Sequence, residues 1–210
     1  MSVESEEGEF SSVADVIKDA AEGKVFILLD DEDRENEGDL VVLADKVSES
    51  AINMMIRYGS GIVCLAILQQ HADRLGLDLL KKSNAKENHT AFTTSIDARY
   101  GISTGVSARD RATTIKAAVR EGSSADELVT PGHVFPIIAN EGGLAARKGH
   151  TEASVEIAKL AGKSSAAVIC ELMNEDGTMS RLPEIIEFSS KHQIKLTTIG
   201  KLMEYLELTQ

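Results

Sequence analysis

The sequence predicts an α+β fold: a single three-layer α/β/α domain around a mixed, mostly buried β-sheet. One observation is that runs of consecutive apolar residues, such as 25–29 and 40–43, have the length of strands. Such uninterrupted runs are typical of strands that are buried on both faces. A second observation is that helical and strand-like segments alternate irregularly, with some strands adjacent in sequence, which disfavours a regular doubly wound sheet.

The first half of the chain predicts two helices and four strands. The pair Ser11-Ser12 can cap a helix whose apolar residues have helical spacing, and Gly23 ends that helix. Strands are predicted at 25–29 and 40–43, on either side of a polar loop. A second helix follows at 48–59, then a buried strand at 61–68 and a weaker strand at 92–96.

The second half predicts four more helices and three more strands. Ser107 and Asp110 resemble a capping box that opens a helix ending at Gly122. In the next strand, 134–139, Pro136 predicts an edge position or a bulge. The remaining helices are predicted at 151–161, 183–192 and 201–208, and the remaining strands at 166–172 and 194–199. No linker or repeat divides the chain, so 11–210 is predicted to be one domain preceded by a frayed acidic tail, 1–10.

Composition excludes several classes of protein. With 34 acidic and 22 basic residues the net charge is −12, which leaves no diffuse basic surface for nucleic acid or an anionic membrane. The longest apolar run, 62–68, is far shorter than the roughly 20 residues that span a bilayer. The two cysteines lie in apolar stretches and indicate neither a disulfide framework nor a zinc site. We therefore expect a cytoplasmic protein with neither nucleic-acid nor membrane partners.

The acidic loop, residues 30–39, places seven carboxylates and Arg34 between two apolar strands. A solvated acidic turn is one interpretation. A calcium-binding EF-hand loop is disfavoured, because its twelfth position would be Ala44 and strands rather than helices flank it. The other interpretation is a site for a hard cation, since crowded carboxylates repel one another unless a divalent ion or protonation relieves them. Arg34 would suit a phosphate or a substrate oxygen.

A second cluster, residues 147–152, lies at the start of a predicted helix. Free backbone amides and the helix dipole favour an anion there, and Arg147, Lys148 and Thr151 would strengthen that preference. An ordinary basic loop capped by Thr151 is the alternative. His150 could be a metal ligand, a base or simply an exposed side chain.

Three further positions are weaker candidates. His133 lies in a segment bounded by proline and glycine, which predicts a turn that immobilises its side chain. The hydroxyl-rich loop 103–111, which contains Thr104, could contact a phosphate, although many helix caps look the same. Glu171 stands near the end of a buried strand, where a carboxylate is costly unless it is paired.

The sequence contains no Walker loop, dinucleotide fingerprint, GxSxG elbow or HExxH motif.

Five segments in order and spacing, 30–39, 59–65, 104–111, 131–136 and 149–152, resemble the 3,4-dihydroxy-2-butanone 4-phosphate synthase family. The resemblance extends over about residues 13–205. It implies a lyase of riboflavin biosynthesis that converts D-ribulose 5-phosphate into L-3,4-dihydroxy-2-butanone 4-phosphate and formate. It also implies a dependence on magnesium, with manganese as an alternative ion, and a homodimer with its active site at the subunit boundary.

The resemblance also implies roles for individual residues. Glu35 and His150 correspond to the metal ligands, and His133 and Glu171 to residues essential for catalysis. Glu37 and Asp39 join them as candidate catalytic groups, with the order of acid and base roles left open. The substrate-binding residues implied are Arg34, Glu35, Asp39, Thr104, Asp110, Arg147, Lys148, Gly149, His150, Thr151 and Glu171. Lys148 occupies a position that varies in the family, and Arg109 one that often carries a small residue.

Two alternative functions remain open from the sequence. A magnesium-dependent pentose phosphate isomerase would need only the first step of the reaction, removal of a proton beside the carbonyl, and would release no formate. A noncatalytic sensor of sugar phosphates or divalent ions would not need acid and base groups at His133 and Glu171. Measuring formate after incubation with ribulose 5-phosphate and magnesium separates all three functions.

Overall fold

A seven-stranded mixed sheet forms the centre of the molecule in a computed structural model that describes residues 9–81 and 90–209. The strands are β1 (Phe26–Leu29), β2 (Gly38–Leu43), β3 (Cys64–Ile67), β4 (Ile96–Ala98), β5 (Leu128–Ile138), β6 (Ala167–Glu171) and β7 (Lys195–Thr198). Their order across the sheet is β4-β5-β3-β6-β2-β1-β7. The pairs β1/β7 and β3/β5 are parallel, and the other neighbouring strands are antiparallel.

Helices cover both faces of this sheet. They are α1 (Val13–Glu22), α2 (Glu49–Met54), α3 (Gln69–Leu75), α4 (Ala108–Val119), α5 (Gly143–Ala146), α6 (His150–Leu160), α7 (Leu182–His192) and α8 (Ile199–Thr209). Apolar side chains of α2, α3, α4 and α7 pack in the core on one face. Those of α1, α5, α6 and α8 pack in the core on the other face. The predicted α+β class and its three layers are confirmed.

The adjacent strands β1 and β2 explain the uninterrupted apolar runs in the sequence. Every residue of both strands is buried. Because side chains alternate across a strand, Ile27 and Leu29 join one core while Phe26 and Leu28 join the other. A strand that packs against helices on both faces therefore needs apolar residues at consecutive positions.

The predicted helix caps at Ser12 and Ser107 are confirmed. The Ser12 hydroxyl accepts the N–H of Asp15 at 3.2 Å, and the Ser107 hydroxyl accepts the N–H of Asp110 at 3.0 Å. Gly23, with φ of +84°, ends α1 in the left-handed conformation that a residue without Cβ adopts at little cost. The helix predicted at 48–59 is α2 followed by a single π-helical turn over Met55–Gly59.

Of the two positions predicted for Pro136, a bulge agrees with the register shift in the pairing of β4 with β5. The edge position is wrong, because β5 is paired on both sides. It runs between β3 and β4 and begins at Leu128, six residues before the predicted start. The Pro136 carbonyl accepts the N–H of Thr93 at 3.0 Å, on the side away from β3. The nitrogen that lacks a proton therefore faces the irregular segment before β4, where no regular ladder requires a donor.

Several other boundaries differ from the predictions. The strand expected at 92–96 begins only at Ile96, with an isolated bridge from Phe92 to Ile137 before it. Helix α3 was not predicted. Most of the expected acidic tail, residues 1–8, lies outside the described residues. Within the described ranges, no helix is both long enough and apolar enough to cross a membrane.

Candidate active site

The acidic loop between β1 and β2 is organised around the buried carboxylate of Asp30. Its side chain is fully buried and accepts a hydrogen bond from the Arg34 guanidinium at 2.6 Å. It also accepts the backbone N–H groups of Glu35 at 3.3 Å and Glu37 at 2.8 Å. A solvated turn would not need this internal carboxylate. Asp30 therefore holds Arg34, Glu35 and Glu37 in fixed positions. The sequence did not indicate this role, because Asp30 is one of seven acids in the loop.

Pairing of β2 with β6 brings two of the predicted carboxylates together. Asp39 lies directly opposite Glu171 in the antiparallel register. The Glu171 carboxylate accepts the backbone N–H of Ile62 at 2.8 Å. A side chain at Gly61 would collide with that carboxylate, so glycine is required for this close approach. The strand end thus positions Glu171 through a backbone contact that no motif indicated.

The start of α6 supplies His150 and Thr151, both of which are buried. The His150 imidazole is in hydrogen-bond contact through Nε2, which lies 3.2 Å from the Glu37 carbonyl oxygen, while Nδ1 faces Asp39 Oδ1 at 3.8 Å, too far for a hydrogen bond. These contacts fix the plane of the ring. They also join the acidic loop to the second predicted cluster, although the two are more than 100 residues apart in the sequence.

Arg147 is held by the buried carboxylate of Glu152. The two side chains pair at 2.6 Å, and the other Glu152 oxygen accepts the N–H of Asn140 at 2.9 Å. A side chain at Gly149 would collide with the Arg147 guanidinium. Glu152 ends the cluster that the sequence singled out, but its part in orienting Arg147 was not predicted, because spacing alone does not show which acid pairs with which base.

A single cavity of about 270 Å³ collects most of the predicted site residues. Apolar side chains of Ile62, Phe92, Ile137 and Ile169 complete part of its wall. The predicted residues that line it are Arg34, Glu35, Glu37, Asp39, Arg147, His150, Thr151 and Glu171. Three predicted contacts of the substrate, Thr104, Asp110 and Lys148, and the small residue Gly149 are not among its lining.

Burial raises the pKa of two carboxyl groups in this cavity, Asp39 and Glu37. Burial raises the pKa of Asp39 to about 7, and the Oδ1 atom of Asp39 has no hydrogen-bond partner among the described residues. Burial and, next, the charge of Glu35 raise the pKa of Glu37. Asp39 can therefore exchange protons with a bound molecule in the physiological range.

The predicted metal ligands Glu35 and His150 lie together, and Asp30 joins them. Ligand atoms of the three residues fall within 4.8 Å of one another. Two carboxylates and an imidazole are donors that suit a divalent cation such as magnesium or manganese. The unpartnered Oδ1 atom of Asp39 lies beside this group, 3.8 Å from Nδ1 of His150. The donor set fits a divalent ion, with one more carboxylate than the sequence indicated.

His133 belongs to a separate cluster, which we call the His133 cluster: Asp97, Gly105, Asp110 and His133. The expected turn is wrong, because His133 lies within β5. Its Nδ1 lies 2.8 Å from Asp97 Oδ2, and its backbone N–H donates to Asp97 Oδ1 at 3.0 Å. None of these residues is among the lining of the cavity that holds Glu171. Asp97 was not predicted to be a site residue, because the strand predicted at 92–96 ends one residue before it.

Asp110 organises the loop beside His133. Its carboxylate accepts the N–H of Ser103 at 3.2 Å, the hydroxyl of Ser103 at 2.7 Å and the N–H of Gly105 at 3.1 Å. At Gly105, with φ of +91°, a side chain would collide with Asp97 and His133. The loop that carries Thr104 is thus shaped to pack against the His133–Asp97 pair.

The sequence as a whole identifies the family. The model of the family described as 3,4-dihydroxy-2-butanone 4-phosphate synthase matches residues 14–205. The chain belongs to this synthase family. The synthase of Cupriavidus pinatubonensis is 48% identical over 196 residues, covering 93% of this chain and 88% of that protein. The synthase of Photobacterium phosphoreum is 47% identical over 195 residues, 93% of this chain but 54% of its own length.

Other synthase relatives are longer than this chain. The riboflavin biosynthesis protein RibBA of Aquifex aeolicus is 48% identical over 204 residues, 96% of this chain and 50% of that protein. The chain therefore spans about half the length of several curated relatives that it matches. A solved structure of a synthase in complex with two magnesium ions superimposes with a TM-score of 0.91 at 34% identity, covering 95% of this chain and 98% of that one.

Proposed function

We propose that residues 11–210 form a single catalytic domain that converts D-ribulose 5-phosphate into L-3,4-dihydroxy-2-butanone 4-phosphate and formate. The observation that carries the proposal is the cavity that joins the acidic loop to Arg147, His150 and Thr151 in a member of this family. Proteins of similar length bear the synthase name, which supports one domain being sufficient. The cytoplasmic location expected from two free cysteines stays a prediction.

Binding of the substrate phosphate is assigned to the start of α6. The first amides of this helix have no helical acceptor, and Gly149 at the N-cap offers no side chain to satisfy them. Arg147 adds a guanidinium whose direction Glu152 fixes, and Thr151 adds a hydroxyl. Arg34, anchored by Asp30, is placed to donate to an oxygen of the sugar. The substrate would be held at both ends, which restrains the reactive intermediate.

Glu35 and His150, with Asp30 beside them, would hold magnesium, with manganese as an alternative ion. When bound, the ion supplies Lewis-acid stabilisation of the negative charge that develops on the oxygens next to the abstracted proton. A relative that binds two magnesium ions supports this assignment. The remaining proton transfers belong to the protein's own side chains.

Proton transfer in the cavity is assigned to Asp39, Glu37 and Glu171. Asp39 is the best placed to take and return a proton, since its pKa is raised to about 7 by burial and one of its oxygens is unpartnered. Glu171 lies opposite Asp39 across the strand pair. The two products together have the elemental composition of the substrate, so the residues must move protons and rearrange bonds without an external oxidant or reductant.

The direct test is release of formate from ribulose 5-phosphate in the presence of magnesium. We expect formate and the four-carbon phosphate in equal amounts, and we expect EDTA to abolish both, because the bound ion is assigned the Lewis-acid stabilisation of the developing charge. An isomerase would form a new pentose phosphate without formate, and a sensor would form no product. Formate release that survives complete chelation would contradict the metal assignment.

Arg147→Ala should lower kcat/KM by about tenfold to a hundredfold, the range for hydrogen bonds to charged groups. The contact that is lost should be the one to the phosphate group, so inhibition by ribitol 5-phosphate should weaken far more than inhibition by ribitol. Because alanine leaves the Glu152 carboxylate buried and unpaired, Arg147→Lys serves as a second variant that keeps the ion pair. Arg109→Ala, outside the cavity, is the matched control; equal losses for both inhibitors would remove Arg147 from the phosphate site.

We also propose a homodimer in which the His133 cluster of one subunit completes the cavity of its partner. The support is that His133 is not part of the cavity in its own chain, while its side chain is 42% exposed. Exposed apolar side chains at Val106 and Phe135 lie next to the cluster in sequence. Such side chains favour burial against another surface.

Subunit complementation tests the shared site. Homodimers of His133→Ala and of Glu171→Gln should each be inactive. A purified heterodimer of the two variants contains one doubly altered site and one intact site, so it should regain about half of the wild-type activity. An inactive heterodimer would show that His133 and Glu171 act within the same chain.

A further inference from the structure

Arg181 lies outside the candidate cavity but reaches the acidic loop that lines it. The residue is the N-cap of α7, and its side chain is 44% exposed. Its Nη1 atom donates to two consecutive backbone carbonyl oxygens of the loop, that of Glu35 at 2.7 Å and that of Asn36 at 2.5 Å. The same atom faces Glu37 Oε1 at 3.9 Å. Arg181 therefore joins α7 to the part of the loop that carries the assigned metal ligand Glu35.

The backbone that carries Arg181 is fixed against the first residue of β2. Directly after β6, the N–H of Leu172 donates to the Gly38 carbonyl oxygen at 2.9 Å. In the first turn of α7, Ile185 packs so closely on Gly38 that a Cβ atom there would lie 2.7 Å from Ile185 Cδ1. These contacts hold the start of α7 beside the end of the acidic loop, so the Arg181 side chain extends from a defined place.

Helix capping does not explain the position of the Arg181 guanidinium. The cap of α7 uses the backbone N–H of Arg181, which donates to the Glu184 carboxylate at 3.0 Å, and it makes no use of the side chain. The hydrogen bonds of the guanidinium go to neutral backbone carbonyls rather than to one of the loop's carboxylates. Contacts of this kind fix the path of the chain, which neutralisation of the acidic loop alone would not require.

The acidic loop has few other contacts that hold it from outside. Within the described residues, only Arg181 and His150 form side-chain hydrogen bonds to it from elsewhere in the chain, and His150 is itself an assigned metal ligand. The Glu35 side chain is 50% exposed, so packing does not determine its direction. Asn36 has φ of +52°, in the sparsely populated left-handed region. Arg181 binds the carbonyls on both sides of the Asn36 Cα atom and thereby stabilises the turn that brings Glu35 to His150.

We propose that Arg181 is a positioning residue, which holds the acidic loop so that Glu35 lies with Asp30 and His150 in one group of metal ligands. Ligand atoms of these three residues fall within 4.8 Å of one another, whereas Arg181 itself does not line the cavity. The inference rests on the metal site of the proposed function and adds a residue of α7 to its support.

Charge and positioning predict opposite effects of removing Arg181. Arg181→Met deletes a positive charge beside a group of carboxylates, and through Coulomb attraction alone a cation would then bind more tightly. Loss of positioning instead releases Glu35 from its place beside His150, so the same variant binds the cation more weakly. The direction of the change in metal affinity therefore separates the two effects.

Calorimetric titration with manganese, without substrate, measures this direction. Arg181→Met should weaken manganese binding by about tenfold, within the range for hydrogen bonds to charged groups, and Arg181→Lys, which keeps the charge and a donor, should recover part of the loss. The control Arg99→Met removes an exposed arginine that also donates to two backbone carbonyls, those of Asp126 at 2.6 Å and Leu128 at 3.1 Å. It should change manganese affinity by less than about twofold. Urea unfolding in EDTA should give similar midpoints for both methionine variants, because both arginines are exposed.

Two results would overturn the proposal: wild-type or tighter manganese binding by Arg181→Met, and a loss of the same size in Arg99→Met. Manganese binding that is weakened in His150→Ala but unchanged in Arg181→Met would remove the role of Arg181 and leave the metal site in place. Manganese binding that His150→Ala leaves unchanged would contradict the metal site of the proposed function and this inference with it. The two failures are therefore distinguishable without an assay of activity.

Discussion

The Asp39→Asn variant should be inactive and yet, without metal, more stable than the wild type above neutral pH. Activity should fall by about two to four orders of magnitude, the usual contribution of general acid–base catalysis. Stability should rise because the Asp39 carboxylate is buried with one oxygen unpartnered. Its pKa is 3.8 ordinarily and about 7 when folded, a difference equivalent to at most about 4 kcal/mol.

The sign of this effect follows from proton binding. Between pH 4 and 7 the folded protein keeps the Asp39 proton that the unfolded chain releases, so wild-type stability falls as pH rises through this window. Asparagine does not titrate, so the stability advantage of Asp39→Asn should grow from nothing below pH 4 to its full size above pH 7. Urea unfolding in EDTA across this range measures it. Asp33→Asn, exposed in the same loop, should track the wild type; identical pH profiles for all three proteins would contradict this account of Asp39.

The His150→Ala variant should lose both metal affinity and the coupling between metal and substrate. Magnesium dehydrates reluctantly and keeps several waters, so a small set of protein ligands gives modest affinity without substrate oxygens. We expect ribitol 5-phosphate, which lacks the reactive carbonyl, to tighten metal binding, and the metal to tighten ribitol 5-phosphate by the same factor. His150→Ala should weaken the metal by at least about tenfold and reduce the coupling.

Calorimetric titrations of magnesium and manganese, with and without ribitol 5-phosphate, measure both quantities. Only a neutral imidazole binds a metal, so acid pH should weaken metal binding more in the wild type than in His150→Ala. His192→Ala, which changes a histidine outside the cavity, is the matched control. Wild-type metal affinity and pH dependence in His150→Ala would show that this histidine is not a ligand.

Apolar pattern and capping residues were sufficient to predict most of the fold. The buried runs at 25–29 and 40–43 became β1 and β2 because each strand faces a helical layer on both sides. The position of Pro136 was not predictable in the same way. Whether a proline is tolerated depends on which side of its strand lacks a ladder partner, and strand order across the sheet decides that.

Most residues of the candidate site were predicted from the sequence, but the residues that hold them in position were not. Glu35 and His150 could be predicted as ligands of the same metal ion because their segments resemble those of one family. Asp30 and Glu152, which orient the residues around them through buried contacts, looked like ordinary acids in charged runs. The separation of His133 from the cavity was also hidden, since sequence order does not show on which surface of the chain a side chain lies.

The central claim is that Glu35 and His150 hold one divalent ion between the acidic loop and the start of α6. Anomalous diffraction from crystals of the protein soaked with manganese locates such an ion directly. We predict a peak within about 2.5 Å of both the Glu35 carboxylate and the His150 imidazole. A peak at the exposed carboxylates of Asp31, Glu32 or Asp33 alone, or no peak between Glu35 and His150, would contradict the claim.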